Sequence, residues 1–223
     1  MELPESPNWG ANLATIHMSI TRGIDVTIEH SAAFAKEGFP DDAMRKGFVD
    51  YVRALVQAVD VHHLGEEEVS FPYLRDKVPE APYDTLEAQH AQIIAVLDGM
   101  PAVADQLAAG ERALGACDRL REAALQLKSL WRPHIASEEQ SFATDILAER
   151  LTPAQHEQLI GAAGAHAMKR LDAPFLAMPF LLYNLPPKER AYFASPLPAE
   201  LTQQLVPVTW KDLWAPMQPF LLT

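Results

Sequence analysis

Residues 61–71 read VHHLGEEEVSF and residues 133–142 read PHIASEEQSF. Four residues along an α-helix advance about 400°, so His62 and Glu66 lie only about 40° apart around the axis, and so do His134 and Glu138. Each pair continues an apolar series at helical spacing: Phe48, Val52, Leu55 and Val59 lead into the first, Leu120, Ala124, Leu127 and Trp131 into the second. On two helices, therefore, the face that should enter the core ends in an imidazole and a carboxylate. A buried carboxylate without a partner is costly, and so is a buried imidazole with unpaired nitrogens. Two such pairs converging in one core point to a cation.

Two further stripes have the same defect. Leu13, His17, Ile20 and Ile24 form one, and Leu86, His90, Ile93, Leu97 and Met100 form the other. The periodicity predicts helices over residues 11–37, 41–70, from Asp84 or Thr85 to an interruption at Pro101, and 112–148. No strand alternation lies between them. Four helices with short connections make an all-α, antiparallel up-down four-helix bundle. The halves repeat: His17 to His62 spans 45 residues and His90 to His134 spans 44, and HMSITRGID from His17 aligns without a gap with HAQIIAVLD from His90. His30 lies 13 residues beyond His17, about 220° around the helix, and reads as a surface or rim residue.

The register of the opening motif has two readings. Aligned at its SF end, HLGEEEVSF from His63 matches HIASEEQSF from His134 and favours His63 with Glu67. The stripe through Val59 favours His62 with Glu66 and puts Glu67 about 100° off its line. The second reading is adopted, with His63 left as an extra ligand, a hydrogen-bond partner of a ligand, or a partly exposed histidine. Glu67, Glu68 and Glu139 read as solvated, although one of them could accept the second N–H of a ligand histidine.

The order H, H-x-x-x-E, H, H-x-x-x-E resembles the hemerythrin-like, or HHE cation-binding, family. His17, His62 with Glu66, His90, and His134 with Glu138 carry the resemblance, supported by Phe71-Pro72 nine and ten residues after His62. It covers about residues 10 to 150 and implies a four-helix bundle holding a non-haem di-iron centre. Those six residues are the candidate metal ligands. Imidazole and carboxylate together suit iron, and less well manganese or zinc, and each glutamate could bridge two ions. The expected cofactor is two iron ions with an oxo or hydroxo bridge and an open position for dioxygen, nitric oxide or peroxide. Oxygen-carrying hemerythrins have a more histidine-rich site. The inward stripes here supply four histidines, which argues against simple oxygen transport.

Composition sets the wider bounds. Lys and Arg total 18 against 30 Asp and Glu, a formal net charge of −12 in 223 residues, so nucleic acid and anionic membrane surfaces are not expected partners. Cys117 is the only cysteine, which excludes an intrachain disulfide and any cysteine-rich metal site. The N-terminal stretch has no apolar signal region and no apolar run is long enough to span a bilayer, so a cytoplasmic protein is expected. Residues 1–150 are assigned to the bundle and residues 151–223 to an extension in which prolines interrupt apolar patches. Thr152-Pro153 opens a fifth helix that holds His156 and His166, both left without a role. The extension, anchored by Trp210, Trp214 and Phe220, is expected to pack on the bundle or to join copies of the chain in a homo-oligomer.

Neither H-E-x-x-H nor a phosphate-binding glycine loop is present. The ferritin-like E-x-x-H spacing occurs once, from Glu87 to His90, where that fold needs two. Two functions share the candidate site. One is a binding module for a diatomic or peroxide ligand, or a sensor or store of iron. The other is a di-iron oxidoreductase that activates dioxygen or decomposes peroxide. The first is preferred because no separate catalytic residue is visible. A metal-free interaction protein is the remaining alternative.

Overall fold

In the computed structural model, which describes residues 3–110 and 113–222, the helices begin where local chemistry satisfies their first backbone donors. α1 (Trp9–Glu37) opens behind Asn8, whose side-chain oxygen accepts from the Ala11 N–H at 3.2 Å. α2 (Asp42–Gly65) opens behind Asp41, which accepts from the Met44 N–H at 2.7 Å. It continues through a π-helical turn (Glu66–Ser70) into the short α3 (Phe71–Leu74). α4 (Tyr83–Leu97) starts ahead of the expected Asp84 or Thr85 cap. The Pro82 carbonyl already accepts from the N–H groups of Thr85 and Leu86, so the helix is launched by a backbone acceptor and not by a side chain. α5 (Met100–Ala108) restarts with Pro101 in its first turn, where a missing N–H leaves no bond unmade.

α6 (Ala113–Ser141) carries Pro133 inside it and stops short of the expected residue 148. Phe142 still donates to the Glu138 carbonyl, then Ala143 turns extended and α7 (Thr144–Arg150) begins. The turn lets the Phe142 ring pack edge-on against Trp9 and tilted against Phe71. α8 (Pro153–Arg170) opens with a capping box in which Thr152 and Gln155 satisfy each other's backbone. α9 (Pro174–Tyr183), α10 (Pro187–Ala194), a π-helical segment (Glu200–Thr209), α11 (Lys211–Trp214) and a 3₁₀ turn (Ala215–Phe220) complete the chain. Among the described residues there is no strand, and no helix is long and apolar enough to cross a membrane.

α1 lies along α6, which also packs on α4 and α5, while α2 packs on α1 and α5. This packing builds two apolar clusters, and the C-terminal segment builds a third around Met178, Leu182, Phe193 and Leu201. Of the first two, the larger holds Ile20, Phe48, Leu55, Ile93, Leu127 and Trp131, and the smaller holds Leu13, Phe71, Leu86 and Phe142. The C-terminal segment enters the larger one through Phe180, Trp214, Met217 and Phe220, whereas Trp210 stays partly exposed against it. Polar ties hold it there: Arg22 donates to the Asn184 side chain and to the Phe220 carbonyl, and the Tyr51 hydroxyl donates to Asn184 at 2.9 Å.

The closest approach is at Gly47, where an added Cβ would stand 1.9 Å from the Pro216 carbonyl oxygen. Backbone cannot yield there as a flexible side chain could. Gly47→Ala is therefore expected to destabilise the protein by about 1–3 kcal/mol. Phe220→Ala, which empties a site 1% exposed, is expected to cost about 3–5 kcal/mol. Gly161→Ala, on the exposed face of α8 with open space around it, should be neutral or stabilising by up to about 1 kcal/mol. Denaturant unfolding of the three variants measures all of this, and an undisturbed Gly47→Ala would contradict the packing described.

Candidate metal centre

The π-helical turn at Glu66–Ser70 sets the local geometry. The Glu66 N–H reaches the carbonyls of both His62 and His63, and the Phe71 N–H reaches back five residues to the Glu66 carbonyl. Such a turn holds one residue more than an α-turn. Upstream of it, His62 and Glu66 follow the α-helical stripe. Downstream, Phe71 is shifted by one position and meets Phe142, its counterpart just beyond α6, with ring centroids 5.9 Å apart. Both registers visible in the sequence are thus realised, one on each side of the turn.

His17, His62, Glu66, His90, His134 and Glu138 all come together between the two apolar clusters, and His63 joins them. The ligand atoms of His17, His62, Glu66 and Glu138 lie within 4.8 Å of one another, and so do those of His63, Glu66, His90 and His134. Glu66 belongs to both groups: one oxygen is 3.5 Å from His62 Nε2 and the other 3.5 Å from His90 Nε2. Glu138 also faces both. Its Oε2 is 3.2 Å from His17 Nε2 and 3.3 Å from His134 Nε2, and its Oε1 is 3.7 Å from His90 Nε2. Trp131 forms an apolar wall against His17, His62, His63 and His134, with its N–H held by Thr21 Oγ1. On the other side the Phe71 ring stacks on His90.

The outer nitrogens of three histidines are tied to named partners. His17 Nδ1 pairs with Glu139 and His90 Nδ1 with Glu67, both at 2.9 Å, and His134 Nδ1 pairs with Gln89 at 3.1 Å. Each leading histidine is thus held by the second glutamate of the other half of the repeat. Such a bond fixes the ring and leaves Nε2 directed inward. Glu67 and Glu139, expected as solvated side chains, are half-exposed and hold ligand-position imidazoles. Glu68 does remain at the surface, where it pairs with Arg170 at 2.7 Å and faces His166 at 3.4 Å.

Electrostatics shows how much the cluster lacks. Burial, followed by the charges of Glu138 and Glu67, holds the Glu66 carboxyl well above the usual carboxylate range. Burial would raise Glu138 too, but the close imidazoles of His134, His17 and His90, 3.3, 3.2 and 3.7 Å away, outweigh it and hold this carboxyl well below that range. Burial likewise opposes charge on His17, yet the adjacent Glu138 carboxylate and the bond to Glu139 win and raise its pKa. His62 and His63 are lowered well below the ordinary value, first by burial and then by neighbouring histidines, so both are neutral imidazoles; His62 Nε2 lies 3.2 Å from His17 Nε2. Among the described residues, both oxygens of Glu66 and Glu138, both nitrogens of His63, and Nε2 of His90 and His134 have no partner in hydrogen-bonding geometry. Buried polar atoms are seldom left in that state. Their donor set, imidazole nitrogen with carboxylate oxygen, is one that divalent transition metals accept.

One expectation is corrected here. A fifth inward histidine does exist: His63 is 2% exposed and stacks on His90 with ring centroids 4.0 Å apart. It was hidden because a residue 100° from the stripe is placed outside the core by helical periodicity. The signal that could have found it was the second register of the repeat, in which His63 takes the place of His134. His30 lies away from the site against Phe220, and buried His156 accepts from the Trp9 N–H at 3.0 Å.

No curated protein and no solved structure matches the chain. A family model described as the Hemerythrin HHE cation binding domain matches residues 11–146. That span contains all five clustered histidines and both inward glutamates, and it covers more than half of the 223 residues. The chain belongs to the hemerythrin HHE cation-binding domain family.

Proposed function

We propose that the chain is a non-haem di-iron protein whose paired site binds dioxygen, nitric oxide or peroxide, as a carrier or sensor. One observation carries this reading: Glu66 and Glu138 each reach into both ligand groups, and all four of their oxygens are buried without a hydrogen-bond partner. Two ions side by side would use both oxygens of each carboxylate. His63, His90 and His134 would hold one ion, and His17 and His62 the other.

Iron held there would supply reversible one-electron chemistry and an open coordination position for a small ligand. The protein's own residues do the rest. Glu67, Glu139 and Gln89 orient three imidazoles and strengthen them as donors. Trp131 and Phe71 wall the cluster on two sides. The ligand groups are unequal. His17 and His62 give their side two imidazoles against three on the other, so an ion held by His17 and His62 would have fewer protein donors and more room for a small ligand. With five inward histidines, the expectation that too few were present for reversible oxygen binding loses its ground.

Anaerobic loading with ferrous iron should leave two irons per chain, and air should then produce oxo-bridge charge-transfer bands and a reversible oxygen adduct. Persistent absence of metal would overturn the proposal, and rapid catalytic loss of peroxide without a lasting adduct would favour an oxidoreductase. His63→Ala is expected to lower the iron content from about two to about one per chain. Two tightly held irons with an unchanged spectrum would remove His63 from the ligand set.

Stability gives a second measurement. Ferrous iron at about 100 times its dissociation constant should stabilise the protein by about 2.7 kcal/mol, raising the melting temperature by roughly 5–10 °C. A chelator should reverse the rise. In Glu66→Gln the rise should vanish, while the metal-free variant should melt no lower than metal-free wild type, because a poorly placed buried acid has been neutralised.

A further inference from the structure

A cavity of about 130 Å³ reaches the metal-ligand cluster from the side of the C-terminal segment. His62 and Glu66 line its inner end, and the exposed side chains of Met168 and Pro196 line its mouth. Between them the walls are apolar: Leu13 and Ile16 from α1, Val61 from α2, Ile160 from α8, and Met178 and Leu181 from α9. We infer that the C-terminal segment builds, directly beside the metal ligands, a binding site for a small, uncharged, apolar organic molecule. The inference rests on the metal-binding reading for its consequence but not for the cavity.

Size and chemistry define the occupant. An apolar cavity of about 150 Å³ takes up benzene, so this one suits a single aromatic ring or a short hydrocarbon and is too small for a lipid chain. Among the described residues no lysine or arginine lines it, and the one acidic residue is the metal-facing Glu66. A carboxylate or phosphate would find no counter-charge there, and the net charge of −12 repels anions further. A diatomic ligand would need only a fraction of the space. Besides His62 and Glu66, Asn12 and Ser70 are the polar residues on the walls.

The space is kept open by small residues on α8. Ala163, Gly164 and Ala167 line it, and a Cβ added at Gly164 would meet nothing within 4 Å. A helix-interior glycine is about 1 kcal/mol less favourable than alanine, so Gly164 weakens α8 at the point where a longer side chain would occupy the cavity. The occupant would lie against His62, on the side of the cluster with fewer imidazoles, and would shape which small molecules reach the open position there.

Benzene is the probe, used with the full-length protein in metal-free and iron-loaded forms. It should raise the melting temperature of the metal-free protein saturably and should shift the visible spectrum of the iron-loaded protein. Gly164→Leu, and Ala163→Leu as a second filling variant, should abolish the saturable rise. Gly161→Leu, at an exposed position on the same helix outside the cavity, should leave it as in wild type. No saturable effect on metal-free wild type, or an equal effect in folded Gly164→Leu and Ala163→Leu, overturns the site whatever the metal content. Benzene binding that depends on Gly164 but leaves the iron spectrum unmoved overturns its coupling to the metal. If the protein binds benzene in this way and takes up no iron, the cavity stands and the metal reading falls.

Discussion

Glu66 and Glu138 are buried in the same pocket, and in the metal-free protein they cannot both carry charge comfortably. Three imidazoles close to Glu138 keep it ionised, while burial and the neighbouring charge push Glu66 towards its protonated form. The interior has too few protons and too few donors for four carboxylate oxygens and five imidazoles. This unmet demand governs the rest of the centre. A divalent cation shared by these groups relieves it more completely than protons can, because a cation accepts from several lone pairs at once.

The surrounding structure serves that constraint in two ways. Two apolar clusters flank the polar centre, with Trp131 walling it on one side and Phe71 on the other. A ring of outer partners, Glu67, Glu139 and Gln89, then fixes which nitrogen of each imidazole points inward. Because Glu67 holds a histidine of the second half and Glu139 one of the first, the repeat is bound together by its exposed charges as well as by its core.

Much of this was legible in the chain itself. A polar residue continuing an apolar stripe identifies its own direction, so His17, His62, Glu66, His90, His134 and Glu138 could be recognised from periodicity alone. Helix ends were less accessible. The start of α4 depends on the Pro82 carbonyl, and the end of α6 on where Phe142 finds its aromatic neighbours, and neither leaves a side-chain signature. The inward placement of His63 was missed because an ideal 3.6-residue repeat allows only one of two adjacent residues to face the core. A π-helical turn immediately downstream relaxes that rule.

The sequence by itself determined that four amphipathic helices must bury histidine and glutamate, and so that the bundle needs a cation, because an amphipathic stripe dictates its own burial. Only the tertiary structure decided which atoms face which: that Glu66 and Glu138 reach both ligand groups, that His63 is the fifth imidazole, and that Glu67 and Glu139 cross between the halves. The C-terminal segment likewise showed only its apolarity in sequence. Its path across Gly47 and along the cavity beside His62 arises from contacts between residues more than a hundred positions apart, which no local pattern encodes.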